Sequence, residues 1–92
     1  LFLCYSYFFQ VYPNPVESQV TIEYWLANDA NISVKLFNSI GELIGVLINT
    51  TQEAGTHNFT WQTTGLANGL YFYTFEIDGK PAGMKRMIIS KQ

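Results

Sequence analysis

Ninety-two residues allow one domain, and a chain of this size buries roughly 60–65% of its unfolded surface, enough for one modest core. An apolar fraction of 48% with 16% aromatics excludes a disordered chain, and a net charge of −2 offers no footing for nucleic acid. Cys4 is the only cysteine, so no internal disulfide or thiolate metal cluster can form, and no cofactor is expected.

The first ten residues, Leu1 to Gln10, are apolar and aromatic but too short to span a bilayer. They lack the basic flank and small-residue cleavage site of a signal peptide. Residues 1–10 are therefore read as an apolar linker or upstream remnant, strand-like or irregular, whose side chains rest on the domain or on a partner. The chain does not begin with methionine, which is expected of a fragment or a processed end. Tyr12-Pro13-Asn14-Pro15 follows. Two prolines cannot sit inside a sheet, so this run marks the entry into a folded module spanning residues 11–92.

From Ser18 the pattern has period two. Val20, Ile22, Tyr24 and Leu26 point one way, with Thr21, Glu23 and Trp25 opposite, which predicts a half-buried strand. Asn28-Asp29 breaks it. Ile32, Val34 and Leu36 alternate with Asn31, Ser33, Lys35 and Phe37 in a second strand, and Asn38-Ser39-Ile40-Gly41 turns it into a third over 43–49. Gly45 inside that third strand predicts a bulge or a close backbone approach. After the Ala54-Gly55 turn, His57, Phe59 and Trp61 alternate with Asn58, Thr60 and Gln62. Thr64-Gly65 and Asn68-Gly69 bracket the apolar anchor Leu66. The segment from Leu70 to Ile77 is almost wholly aromatic or β-branched and is expected to be a central strand buried on both faces. Asp78-Gly79 is a two-residue type I′ hairpin signal, and the returning strand runs from Lys80 to Ile89. No segment has a helical period. The pattern predicts an all-β fold, a small antiparallel sandwich of about seven strands with immunoglobulin-like, Greek-key connections.

Chemistry is hard to place on this pattern. His57 stands alone, without a second histidine or nearby cysteine, and reads as a strand residue partly covered by its neighbours. The carboxylates are spread over loops and strand faces with no paired acid and base, so no catalytic residue is assigned and the chain is read as a non-enzyme. Trp25, Trp61, Tyr71 and Tyr73 would suit a sugar-stacking platform, but in so small a sandwich aromatic residues are first of all core. Asn31, Asn49 and Asn58 each open an Asn-X-Ser/Thr triplet, more simply read as the polar face of alternating strands. Four of the five basic residues, Lys80, Lys85, Arg86 and Lys91, gather on the terminal hairpin. There they either address a receptor or protect a sheet edge from aggregation, and the two roles are compatible.

From Val11 to Gln92 the chain resembles the type A C-terminal sorting domain of the bacterial type IX (Por) secretion system of Bacteroidota. The opening run of that family is matched by Tyr12, Pro13, Asn14 and Pro15, and its Gly-Lys or Gly-Glu turn by Gly41-Glu42. Its Ala-Gly-x-His-x-φ-x-Trp stretch is matched by Ala54, Gly55, His57, Phe59 and Trp61. Its Leu-x-x-Gly-φ-Tyr motif is matched by Leu66, Gly69, Leu70 and Tyr71, before the hairpin at Asp78-Gly79. Its basic, apolar last strand is matched by Lys85, Arg86, Met87, Ile88, Ile89 and Lys91. The residues before Val11 depart from the polar linker usual in the family.

The resemblance implies a non-catalytic secretion signal. Such a domain directs an attached N-terminal cargo from the periplasm across the outer membrane to the cell surface or the medium, and is normally cleaved off afterwards. The implied partners are the outer-membrane translocon, a shuttle protein, a sortase-like peptidase and the covalently attached cargo, with self-association through edge strands as a further possibility. Lys80, Lys85, Arg86, Met87, Ile88, Ile89 and Lys91 are the expected recognition residues. The alternative from a different class is a fibronectin-like spacer or carbohydrate-binding accessory module of an extracellular enzyme.

Overall fold

The alternation along the chain becomes a set of antiparallel strands in a computed structural model that describes residues 7–12 and 18–91. The described residues form β1 (Tyr7–Tyr12), β2 (Gln19–Leu26), β3 (Ala30–Asn38), β4 (Leu43–Gln52), β5 (Gly55–Gln62), β6 (Gly69–Ile77) and β7 (Lys80–Ile89). One sheet has the order β1-β2-β5 and the other β4-β3-β6-β7. The chain changes sheet after β2, β4 and β5, which is the Greek-key connectivity of an immunoglobulin-like sandwich. The expected all-β sandwich is therefore the observed architecture. Pro13, Asn14 and Pro15 lie outside the described residues, as do Cys4 and the other residues before Tyr7.

The core lies where the period-two pattern puts it. Val20, Ile22, Tyr24 and Leu26 of β2 face Ile32, Val34 and Leu36 of β3 and Tyr71, Tyr73 and Phe75 of β6, with Met87 and Ile89 closing one side. Tyr24 meets Phe75 edge-on across the sheets, their ring centroids 5.6 Å apart. Each such fully buried large side chain stabilises the fold by roughly 1.5–3 kcal/mol relative to exposure.

The turns repeat one device, a polar side chain that binds backbone across the break. The Asn38 Oδ1 accepts from the amides of Ile40 and Glu42 at 3.1 and 2.8 Å, closing the β3–β4 turn. Asp29 Oδ1 accepts from the Ala54 amide at 2.9 Å and so ties the β2–β3 crossing to the start of β5. In the β6–β7 hairpin both central residues, Asp78 (φ 51°) and Gly79 (φ 79°), lie in the left-handed region that a type I′ turn requires. The Asp78 carboxylate also accepts from the Asn31 amide at 2.9 Å, fastening the hairpin to the start of β3.

One expectation is revised, and two others gain a definite place in the strands. Among the described residues strand pairing is present from Tyr7, upstream of the Tyr-Pro-Asn-Pro run, so residues 10 and 11 both lie within β1. The reason is register: Phe9 pairs with Tyr24 and Val11 with Ile22, which turns both apolar side chains inward. β6 is central, between β3 and β7, but only its inner face is buried; Phe72, Thr74 and Glu76 line an outer face that no other layer of the described residues covers. The bulge expected at Gly45 exists beside it. Phe37 opposes Leu43 and Leu36 opposes Gly45, which leaves Ile44 unmatched, while a Cβ at Gly45 would meet nothing within 4 Å.

Candidate recognition surface

The β5–β6 loop and the end of the chain form one unit. The Lys91 ammonium donates to the carbonyls of Leu66 and Thr63 at 2.6 and 2.8 Å. The Thr63 carbonyl also accepts the Leu66 amide at 3.1 Å, so one loop oxygen serves both a turn and the clamp. Asn68 brackets the Lys91 backbone, accepting its amide at 2.9 Å and donating to its carbonyl at 3.2 Å. Four residues later than Ala67, the Tyr71 hydroxyl donates back to the Ala67 carbonyl at 2.8 Å. This is the tyrosine corner of immunoglobulin-like sandwiches, placed at the start of the strand that follows the sheet-to-sheet crossing. The Leu-x-x-Gly-φ-Tyr motif thus has a local meaning. Leu66 anchors the loop on the core, Gly69 takes the turn at φ 153°, and Tyr71 locks it.

β1 and β7 meet across the open side of the sandwich through Phe9. Its ring stacks on Phe75 at 4.3 Å with the planes 9° apart and meets Tyr73 edge-on. A Cβ at Gly83 would lie 2.9 Å from two atoms of the Phe9 ring, so Phe9 occupies the space that a side chain at 83 would need. The Lys85 ammonium sits 5.0 Å from the centre of the same ring and donates to the Phe9 carbonyl at 3.4 Å.

The seven expected recognition residues therefore separate into three groups. Met87 and Ile89 point inward and belong to the core. Lys85 and Lys91 are engaged with the fold itself through Phe9 and the β5–β6 loop. Lys80, Arg86 and Ile88 are exposed on β7. The alternation of the strand decides this, since neighbouring residues of β7 face opposite sides of the sheet. Reading the strand as one basic, apolar block could not separate them.

Other candidates disperse. His57 Nε2 donates to the Glu53 carbonyl at 2.6 Å, and its ring stacks on Tyr24 at 5.2 Å, a half-buried histidine with a structural partner on each side. Tyr71 and Tyr73 are in the core, Trp61 is half-buried on the inner face of β5, and Trp25 is on the outer face of β2. The four aromatic residues share no platform. Burial pushes the Tyr73 hydroxyl up to about 12 and raises that of Tyr24 for the same reason. Phe9, Gly83, Thr63 and Asn68 were not singled out from sequence as working residues. The alternation of Tyr7, Phe9 and Val11 was the available signal for the first of them.

Residues 10–90 match the family model described as the secretion system C-terminal sorting domain. No curated protein matches the chain. Among solved structures, the chain is similar to part of dimeric latent PorU from Porphyromonas gingivalis, with a TM-score of 0.76 and 20% identity. The likeness covers 94% of this chain and 9% of that one. At that identity it is a likeness of fold.

Proposed function

The chain belongs to the family of secretion system C-terminal sorting domains, and from this premise we propose that it delivers an attached N-terminal cargo through the type IX machinery and is cut from it afterwards. Its role as a sorting signal for type IX secretion follows from the family, and the protein that bears it is exported by that route. The finer steps are the proposal. The domain passes through the periplasm with its cargo, engages the translocon and shuttle protein, and presents the junction with the cargo to a sortase-like peptidase. The cargo then reaches the surface or the medium. The domain's part is recognition and not catalysis.

The observation that carries this reading is the family match over residues 10–90, a span that holds every fully buried residue of the two-sheet core. A module that folds on its own core can be read in the same way behind any passenger. The chain fused behind a periplasm-directed fluorescent reporter in a Bacteroidota host is expected to carry the reporter to the surface or medium. A secretion-deficient strain and a deletion of residues 88–92 are expected to retain it. A reporter left in the periplasm in all three cases would refute the sorting role.

A further inference from the structure

The two outer faces of the sandwich differ in kind. On the β1-β2-β5 sheet the outward residues satisfy one another: Gln10 with Glu23 at 2.8 Å, Thr21 with Thr60 at 3.3 Å, and Gln62 with Gln19 at 3.1 Å. That is an ordinary solvated sheet face. On the β4-β3-β6-β7 sheet, strand register places Leu43, Phe37, Phe72 and Arg86 in one row and Val46, Lys35, Thr74 and Met84 in the next. Met84 on β7 is 65% exposed and Leu43 on β4 55%, so the apolar side chains of this face extend to both edge strands of the sheet, on either side of the half-buried Phe37 and Phe72. Two adjoining clefts of about 510 and 540 Å³ share Phe37, Thr74 and Met84. Exposed apolar surface gathered on one face of a small domain marks an interaction site.

Charge indicates what fits there. All five basic residues lie on β3, β7 or the residues just after it. Lys35 is neutralised in place by Glu76 at 3.1 Å. Arg86, directly across from Phe72, presents a guanidinium to this face with no carboxylate paired to it among the described residues. We propose that this face docks a partner polypeptide carrying apolar side chains next to a carboxylate. Arg86 takes the carboxylate, and the cleft between Phe37, Phe72 and Met84 takes the apolar side chains. A second copy fits less well. Its own copy of this face repeats Arg86, and five of its six described carboxylates, Glu23, Asp29, Glu42, Glu76 and Asp78, are already engaged within the fold, which leaves Glu53 in the β4–β5 turn. A lipid surface would call for several unpaired outward cations, where this face offers Arg86 beside a Lys35 already paired with Glu76. The identification of the partner with the secretion machinery rests on the sorting reading; the docking surface itself does not.

The test is a methyl and amide NMR titration of the full chain with a short acetylated peptide of alternating Glu and Leu, its Lys–Leu counterpart, and phosphatidylglycerol vesicles. Saturable shifts confined to the outer face of β3, β6 and β7 are expected with the acidic peptide alone. Arg86→Glu should weaken that binding by at least about tenfold and transfer the preference to the lysine peptide, while Thr60→Glu on the other sheet changes nothing. Met84→Glu is a second disruptive variant, and the melting temperature of each variant reports its fold. Equal binding of both peptides, a preference for vesicles, shifts elsewhere, concentration-dependent shifts without peptide, or no saturable binding would each overturn the proposal. In the reporter assay, secretion undiminished by Arg86→Glu and Met84→Glu would overturn the machinery as partner. A wild-type reporter that never leaves the periplasm overturns the sorting reading, and the face then stands or falls on the titration.

Discussion

The Tyr71 hydroxyl lies 2.8 Å from the Ala67 carbonyl, a hydrogen bond that closes the loop between the two sheets from within the core. Tyr71→Phe keeps the ring and removes only the bond. It is expected to lower stability by about 1–2 kcal/mol, part of it from leaving the carbonyl unpaired. The check is urea unfolding, with the midpoint lowered and the slope unchanged. An unchanged midpoint would mean that water replaces the hydroxyl without cost.

The Lys91 clamp is charged and partly buried, so its two hydrogen bonds to Thr63 and Leu66 should be worth more than neutral ones. Lys91→Met is expected to cost about 1.5–3 kcal/mol. Asn68→Ala releases the other half of the same clamp, and the double variant should lose less than the sum of the two. Native-state hydrogen exchange at Ile89 and Ser90 would show the fraying directly. Exchange rates equal to wild type in Lys91→Met would refute the clamp.

Gly83 is required by its neighbour and not by its own backbone. Gly83→Ala places a Cβ against the Phe9 ring, which is stacked on Phe75 and has little room to yield. A loss of about 1–3 kcal/mol is expected. In a Phe9→Ala background the same substitution should cost far less, because the clash is gone. A double-mutant cycle with no coupling would dismiss the contact.

Alkaline pH should unfold the domain through its buried tyrosines. Tyr73 ionises at about 12 in the fold and near 10 when unfolded, because burial disfavours the phenolate. Between those values the folded chain keeps a proton that the unfolded chain has released. The contribution is therefore fully present below pH 10 and is lost as pH rises towards 12. Its size is roughly 2–3 kcal/mol, with Tyr24 adding in the same direction. Tyr73→Phe should flatten the decline of stability measured from pH 9 to 12; an equal decline in that variant would assign it to other groups.

Much of this was legible in the chain. The β2 and β3 alternations, the Asp78-Gly79 hairpin and the loop anchored by Leu66 and Gly69 are local patterns, and each folded as read. β6 was misjudged because a run of aromatic and β-branched residues looks the same whether one face or two are covered. The recognition residues were grouped because their charge and hydrophobicity are visible in sequence while their partners are not.

By itself the sequence determined the class of fold and the turns, since period, proline and positive φ act over a few residues. It also carried the motif order that marks a sorting domain. Only the tertiary structure decided that Phe9 fills the space above Gly83 and that Lys91 is held by a loop some twenty-five residues earlier. It alone left Arg86 facing outward beside Phe72 while Met87 turned inward. These are relations between strands distant along the chain, and the energy of such contacts exists only after the two sheets have closed on each other.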